Sequence, residues 1–104
     1  MNKLKIVIKN VNEQGKIVEV ENSLETFQNI VGGYIEVFPL ENNILMVLNE
    51  EGKIKDLPIN FIIGDEYYKE EIVGNVFFAG RNDVDFDSLN ESQIETLKLI
   101  GILE

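Results

Sequence analysis

The sequence contains no cysteine and no histidine, and arginine occurs once, as Arg81. Without cysteine there are no disulfides, no thiolate nucleophile and no cysteine metal site, so the core must hold by packing alone. Without histidine the chain loses the side chain that titrates near neutral pH and the commonest metal ligand. Positive charge is scarce as well: nine Lys and Arg stand against nineteen Asp and Glu, a net charge of −10. Such a field repels phosphate backbones and anionic membranes, so direct binding to nucleic acid or to a membrane is not expected. It favours a basic protein partner, although an acidic surface also serves solubility alone. No early apolar run resembles a signal peptide or a membrane span, because Met1-Asn2-Lys3-Leu4-Lys5 leads directly into a strand pattern. A cytoplasmic setting is the expectation, with no cofactor and no metal.

What is present is enough apolar residue for one core. The chain has 104 residues, of which 44% are hydrophobic, which suits a single compact domain over 1–104. The pattern centres on two strand-length runs, Gly32 to Leu40 and Ile44 to Asn49, around the polar turn Glu41-Asn42-Asn43. This predicts a β-hairpin. The second run is apolar on both faces and predicts an interior strand. Leu4 to Val11 reads as an edge or half-buried strand with a basic outer face, and Val7 would touch a second layer. Lys16 to Glu21 pairs with it, with Val18 and Val20 inward.

Asn22 as cap and Glu25 three residues later predict a helix start, and Gly32-Gly33 a stop. A short helical turn opening at Pro58 is expected. Phe61, Ile62 and Ile63 read as core, Gly64 to Glu71 as surface loop or loose helix, and Ile72 to Gly80 as one strand in which Gly74 marks either a bulge or a close approach of backbone. Ser88 and Glu91 predict the start of a last helix. Its apolar face would hold Ile94, Leu97 and Gly101, widened by Leu99, Ile100, Ile102 and Leu103. These elements add up to an α+β fold: one twisted, mainly antiparallel sheet of five to six strands with two helices packed on it.

Candidate functional residues fall into two sets. Glu66, Tyr67, Tyr68, Glu70 and Glu71 place two tyrosines among acids, and Asp83, Asp85 and Asp87 add a second acidic segment. Tyrosine gives large amphipathic contacts at low entropic cost, so these eight residues are the candidate partner-binding surface, although either tyrosine would also serve to cover the core. The spacing of Asp83, Asp85 and Asp87 matches the start of a calcium loop, but Ser88 replaces its glycine and Ile94 its closing glutamate. Val84 and Phe86 fit a short strand better. The alternative set is a ligand site of Gly32, Gly33, Asn60 and Arg81, although helix termination accounts for the glycines and an internal ion pair for the arginine. Acid–base catalysis needs carboxylates in a shielded cleft. Most acids here lie beside turns, so no enzyme is expected; Glu36, between Tyr34 and Phe38 on one strand face, is the exception to watch.

The segments Val31-Gly32-Gly33-Tyr34-Ile35-Glu36-Val37, Asn49-Glu50-Glu51-Gly52-Lys53, Leu57-Pro58-Ile59-Asn60 and Ile72-Val73-Gly74-Asn75-Val76 resemble the DUF3846 family, as does Ser88-Leu89 at the last helix. The resemblance covers roughly residues 31 to 90 and implies a small accessory protein of phages, plasmids and other bacterial mobile elements. It brings no catalytic residues. The resemblance implies that relatives often carry a basic residue where this chain has Phe61, which weakens a ligand role resting on that charge here. Joined to the acidic charge, the resemblance implies a non-catalytic inhibitor of a bacterial defence nuclease, either a CRISPR effector or a restriction enzyme. Its carboxylates would stand in for phosphates in a basic nucleic-acid cleft. Sequestration of a nucleotide-like immune signal, in a pocket or at a homodimer interface, is the alternative. A regulatory or assembly role in a mobile element is the third reading.

Overall fold

The computed structural model describes residues 3–83 and 85–104. Met1 and Asn2, the start of the first strand pattern, and Val84, expected in a short strand, lie outside the described residues. In chain order the elements are β1 (Lys3–Lys9), β2 (Lys16–Glu21), α1 (Leu24–Val31), β3 (Ile35–Pro39), β4 (Leu45–Asn49), β5 (Ile59–Gly64), β6 (Lys69–Val73), β7 (Val76–Arg81), β8 (Phe86–Asp87) and α2 (Glu91–Leu99). A six-stranded antiparallel sheet runs β2-β1-β7-β4-β3, with β8 added to β7. The expected α+β class holds.

The fold departs from the single expected sheet in having a second one, the two-stranded ribbon β5-β6. Its source is Gly74, whose φ of 76° turns the chain between β6 and β7. The apolar run from Ile72 to Gly80 hides that break, because Ile72 and Val73 at the end of β6 are buried like β7 from Val76 to Gly80. Residues 51–56 form turns, and Pro58 leads into a strand rather than a helix. Likewise β1 is not an edge strand. It lies between β2 and β7, where Val7, Ile8 and Lys9 pair with Phe78, Phe77 and Val76. Lys3 and Lys5 are exposed while Leu4 and Ile6 between and after them are buried, the alternation expected of a strand.

Alternation along the strands gives each face of the sheet its own core. Leu4, Ile6, Val47, Phe77 and Ala79 pack with Phe27 and Val31 of α1. Val7, Met46, Val76 and Phe78 pack on the other face with Leu97 of α2 and Ile72 of β6. Phe77 and Phe78, adjacent on β7, are both fully buried, one in each core. The expected second layer over Val7 is the α2 face. The hairpin β3-β4 turns through Asn42 and Asn43, both with positive φ, the geometry that two-residue hairpin loops demand.

Both helix starts are displaced from the sequence expectation. The first is capped by Ser23, whose Oγ accepts from the Thr26 N–H at 3.2 Å, not by Asn22. The second is capped by Asn90, with Gln93 closing a reciprocal capping box. Ser88 instead accepts from the Lys5 N–H, joining the chain after β8 to β1. At the far end of α2, Gly101 at φ 89° reverses the chain, and the Gly101 and Ile102 N–H groups donate to Lys98 and Leu97 carbonyls. That reversal buries Ile102 and Leu103 but leaves Leu99 and Ile100 exposed, contrary to the expected wide apolar face.

Candidate functional site

The ribbon β5-β6 is built by side chains that alternate between core and solvent. Phe61 stacks on Phe78 with ring centroids 6.2 Å apart, and Ile63 also packs on that core. Ile59 and Ile62 point outward and are exposed, so Ile62 is not the core residue expected of it. Asn60 fastens the base of the ribbon. Its Nδ2 donates to the Lys9 and Gly74 carbonyls, each at 2.8 Å, and its Oδ1 accepts from Lys9 Nζ at 2.8 Å.

The tip is a fixed turn. Gly64 has φ 122°, and a Cβ there would sit 2.0 Å from the Tyr68 carbonyl oxygen. The Asp65 N–H donates to that same carbonyl, while Asp65 Oδ1 accepts from the Tyr67 and Tyr68 N–H groups at 2.8 and 3.0 Å. This turn holds Tyr67 89% exposed and Tyr68 65% exposed, so neither covers the core. Tyr68 Oη donates to Glu70 Oε1 at 2.9 Å, and Glu70 Oε2 accepts from Lys53 Nζ. The Lys53 ammonium, then the Tyr68 hydroxyl, hold the Glu70 carboxyl below its ordinary range. The same carboxylate raises both Lys53 and Tyr68. Glu66 and Glu71 flank this tether in solvent, and Glu71 stands opposite Ile62 in the ladder.

The second acidic segment lies elsewhere. Asp85 and Asp87 use Oδ1 to accept from the following N–H groups, of Phe86 and Ser88. Phe86 packs against Phe27 and Phe77 on the α1 face, whereas the ribbon covers the α2 face. Of the second acidic segment, Asp83 and Asp85 share a depression with Phe86 that no ribbon residue lines, so the eight candidate partner residues do not form one patch. Asp83 and Asp85 line a depression of about 420 Å³ with Arg81, Val37 and Pro39. Among the described residues no group of three or more His, Cys, Asp or Glu side chains is placed to hold a metal ion. Arg81 is in none of the four ion pairs among them, where an internal pair was expected.

Gly32, Gly33, Asn60 and Arg81 do not converge. The Gly32 and Gly33 N–H groups both donate to the Gln28 carbonyl, so they close α1 and cradle nothing. Asn60 is consumed at the ribbon base beside Gly74. Arg81 ends β7, roughly 17 Å along the strand from its start at Val76. Glu36 lies exposed on β3. Sequence reasoning missed the buried amides: Asn49 donates to the Val31 carbonyl and Gln93 to those of Asn42 and Asn43. It also missed Lys9 beside Asn60. An asparagine or lysine inside a strand pattern carries no signal that separates these roles from surface polarity.

No helix among the described residues is long and apolar enough to cross a membrane. Comparison with curated proteins and with solved structures gave no match. A family model described as a domain of unknown function, DUF3846, matches residues 4–100, well beyond the segments that carry the resemblance in sequence. The chain belongs to the DUF3846 family.

Proposed function

We propose that the protein is a non-catalytic inhibitor that docks on a basic, nucleic-acid-binding host enzyme through the tip and outer face of the β5-β6 ribbon. The observation that carries this reading is the pair Tyr67 and Tyr68, held outward by the Asp65 turn and bordered by Glu66, Glu70 and Glu71. Exposed aromatics fixed by their own backbone lose little freedom on binding and supply anchor contacts. The carboxylates and the net charge of −10 steer a basic partner and take the place of phosphates in its cleft. Asp83 and Asp85, which line a depression with Arg81 and no ribbon residue, stand outside a contact confined to the ribbon. The family resemblance supports a mobile-element origin, and with it a CRISPR effector or restriction enzyme as the target.

The test is DNA cleavage by purified enzymes of both kinds, with the protein added at low and high salt. The expected result is inhibition that weakens with salt and falls about tenfold in the Tyr67→Ser/Tyr68→Ser variant. Inhibition indifferent to both changes would overturn the reading, as would no inhibition of either enzyme class.

A further inference from the structure

The ribbon, the end of α2 and the main sheet border a partly open cavity of about 460 Å³. Its walls are mainly apolar, with Ile44 and Phe78 from the sheet, Phe61 and Ile63 from β5, and Ile102 beyond α2. Lys9 also lines it. The Lys9 ammonium is half-buried and fixed by two neutral acceptors, the Asn10 carbonyl at 3.1 Å and Asn60 Oδ1 at 2.8 Å. These use two of its three protons. Among the described residues it forms no ion pair, although the chain carries nineteen carboxylates. A partly buried charge is ordinarily matched by an opposite one. A concave apolar chamber with one convergent cation is the usual form of a site for a small amphipathic anion.

We infer that this cavity binds a small monoanion with an apolar body, such as a medium-chain carboxylate, with Lys9 receiving the carboxylate. The lone cation selects a single negative charge, and Glu41, also in the wall, disfavours a polyanion such as a nucleotide. This site adjoins the tyrosine tip through Ile62 and Gly64 but uses neither tyrosine, so octanoate binding is tested without reference to any protein partner. The experiment is a titration of the full chain with octanoate, and in parallel with octanol, followed by NMR of backbone and methyl groups. Saturable shifts of Phe61, Phe78 and Ile102 with octanoate are expected, with octanol at least about tenfold weaker. Lys9→Met would lower octanoate affinity to that of octanol and leave octanol unchanged. Equal affinities of the two probes for the unaltered protein would overturn the inference even if the variant failed to fold. So would shifts confined to other surfaces, or no saturable shift.

Discussion

Strand β7 and the ribbon β5-β6 are neighbours in sequence and opposites in construction. β7 is buried from Val76 to Gly80, pairs with β1 and β4, and places one phenylalanine in each core. The ribbon pairs with no other strand and shows solvent two isoleucines and two tyrosines. A two-stranded hairpin is marginal by itself. This one persists because Phe61, Ile63 and Ile72 are packed, Asn60 fastens its base and Glu70 ties its tip to Lys53. The contrast separates the strand that holds both cores together, which exposes only Arg81, from the ribbon, which packs on one core and is the element proposed to meet a partner.

The largest way to break the contrast is Phe77→Ala, which empties the α1-side core beside Phe27 and Phe86. It should cost about 3–5 kcal/mol in urea unfolding, whereas Tyr67→Ala should stay within about 0.5 kcal/mol. Equal losses at the two sites would erase the distinction. Next comes Asn60→Ala, which strands the Lys9 and Gly74 carbonyls and should cost about 1–3 kcal/mol. Hydrogen exchange should then quicken in β5 and β6 before β4 or β7. A uniform change would mean that ribbon and sheet open together. Gly64→Ala, at a positive φ and against the Tyr68 carbonyl, should cost about 1–3 kcal/mol and move the Tyr67 and Tyr68 amide resonances while leaving those of β7 in place.

The smallest effect is the pH response of the tether. Because Glu70 is depressed in the folded chain, its contribution is present above the ordinary carboxylate range and is lost as pH falls through the depressed value. Lys53 and Tyr68 are raised, so their contribution holds below their ordinary values and fades as pH rises through the raised ones. The Tyr68 ring resonances should therefore shift in acid with an apparent pKa below that of a free glutamate, and the transition should vanish in Glu70→Gln. A transition at the ordinary glutamate value would detach Glu70 from the tip.

Much of the main sheet was legible because its signals are local. The run from Ile44 to Leu48, apolar on both faces, is an interior strand, and Asn42-Asn43 is its turn. Alternation correctly sent Leu4, Ile6 and Ile8 to one core and Val7 to the other. The edge reading of β1 failed because lysines at its start say nothing of β7, which arrives seventy residues later in the chain. The caps slipped by one and two residues because Asn22, Ser23, Ser88 and Asn90 all have competent side chains, and tertiary contacts chose among them. For the candidate site, composition pointed to Tyr67 and Tyr68 but could not tell that they sit on a fixed turn. Nor could it see that Asp83 and Asp85 open onto a depression with Arg81 and Val37 rather than joining the tyrosines, since strand order decides that.

The insertion of β7 between β1 and β4 also bears on how the molecule is made. The two amino-terminal hairpins, β1-β2 and β3-β4, need only near neighbours to pair, but in the sheet they are joined to each other only through β7, residues 76–81. Until then a growing chain carries two open strand edges, which are the surfaces most prone to wrong association. Closure of the sheet is thus a late, long-range event, and ribosome-tethered fragments ending before Val76 should aggregate, whereas those extending through β7 should stay dispersed.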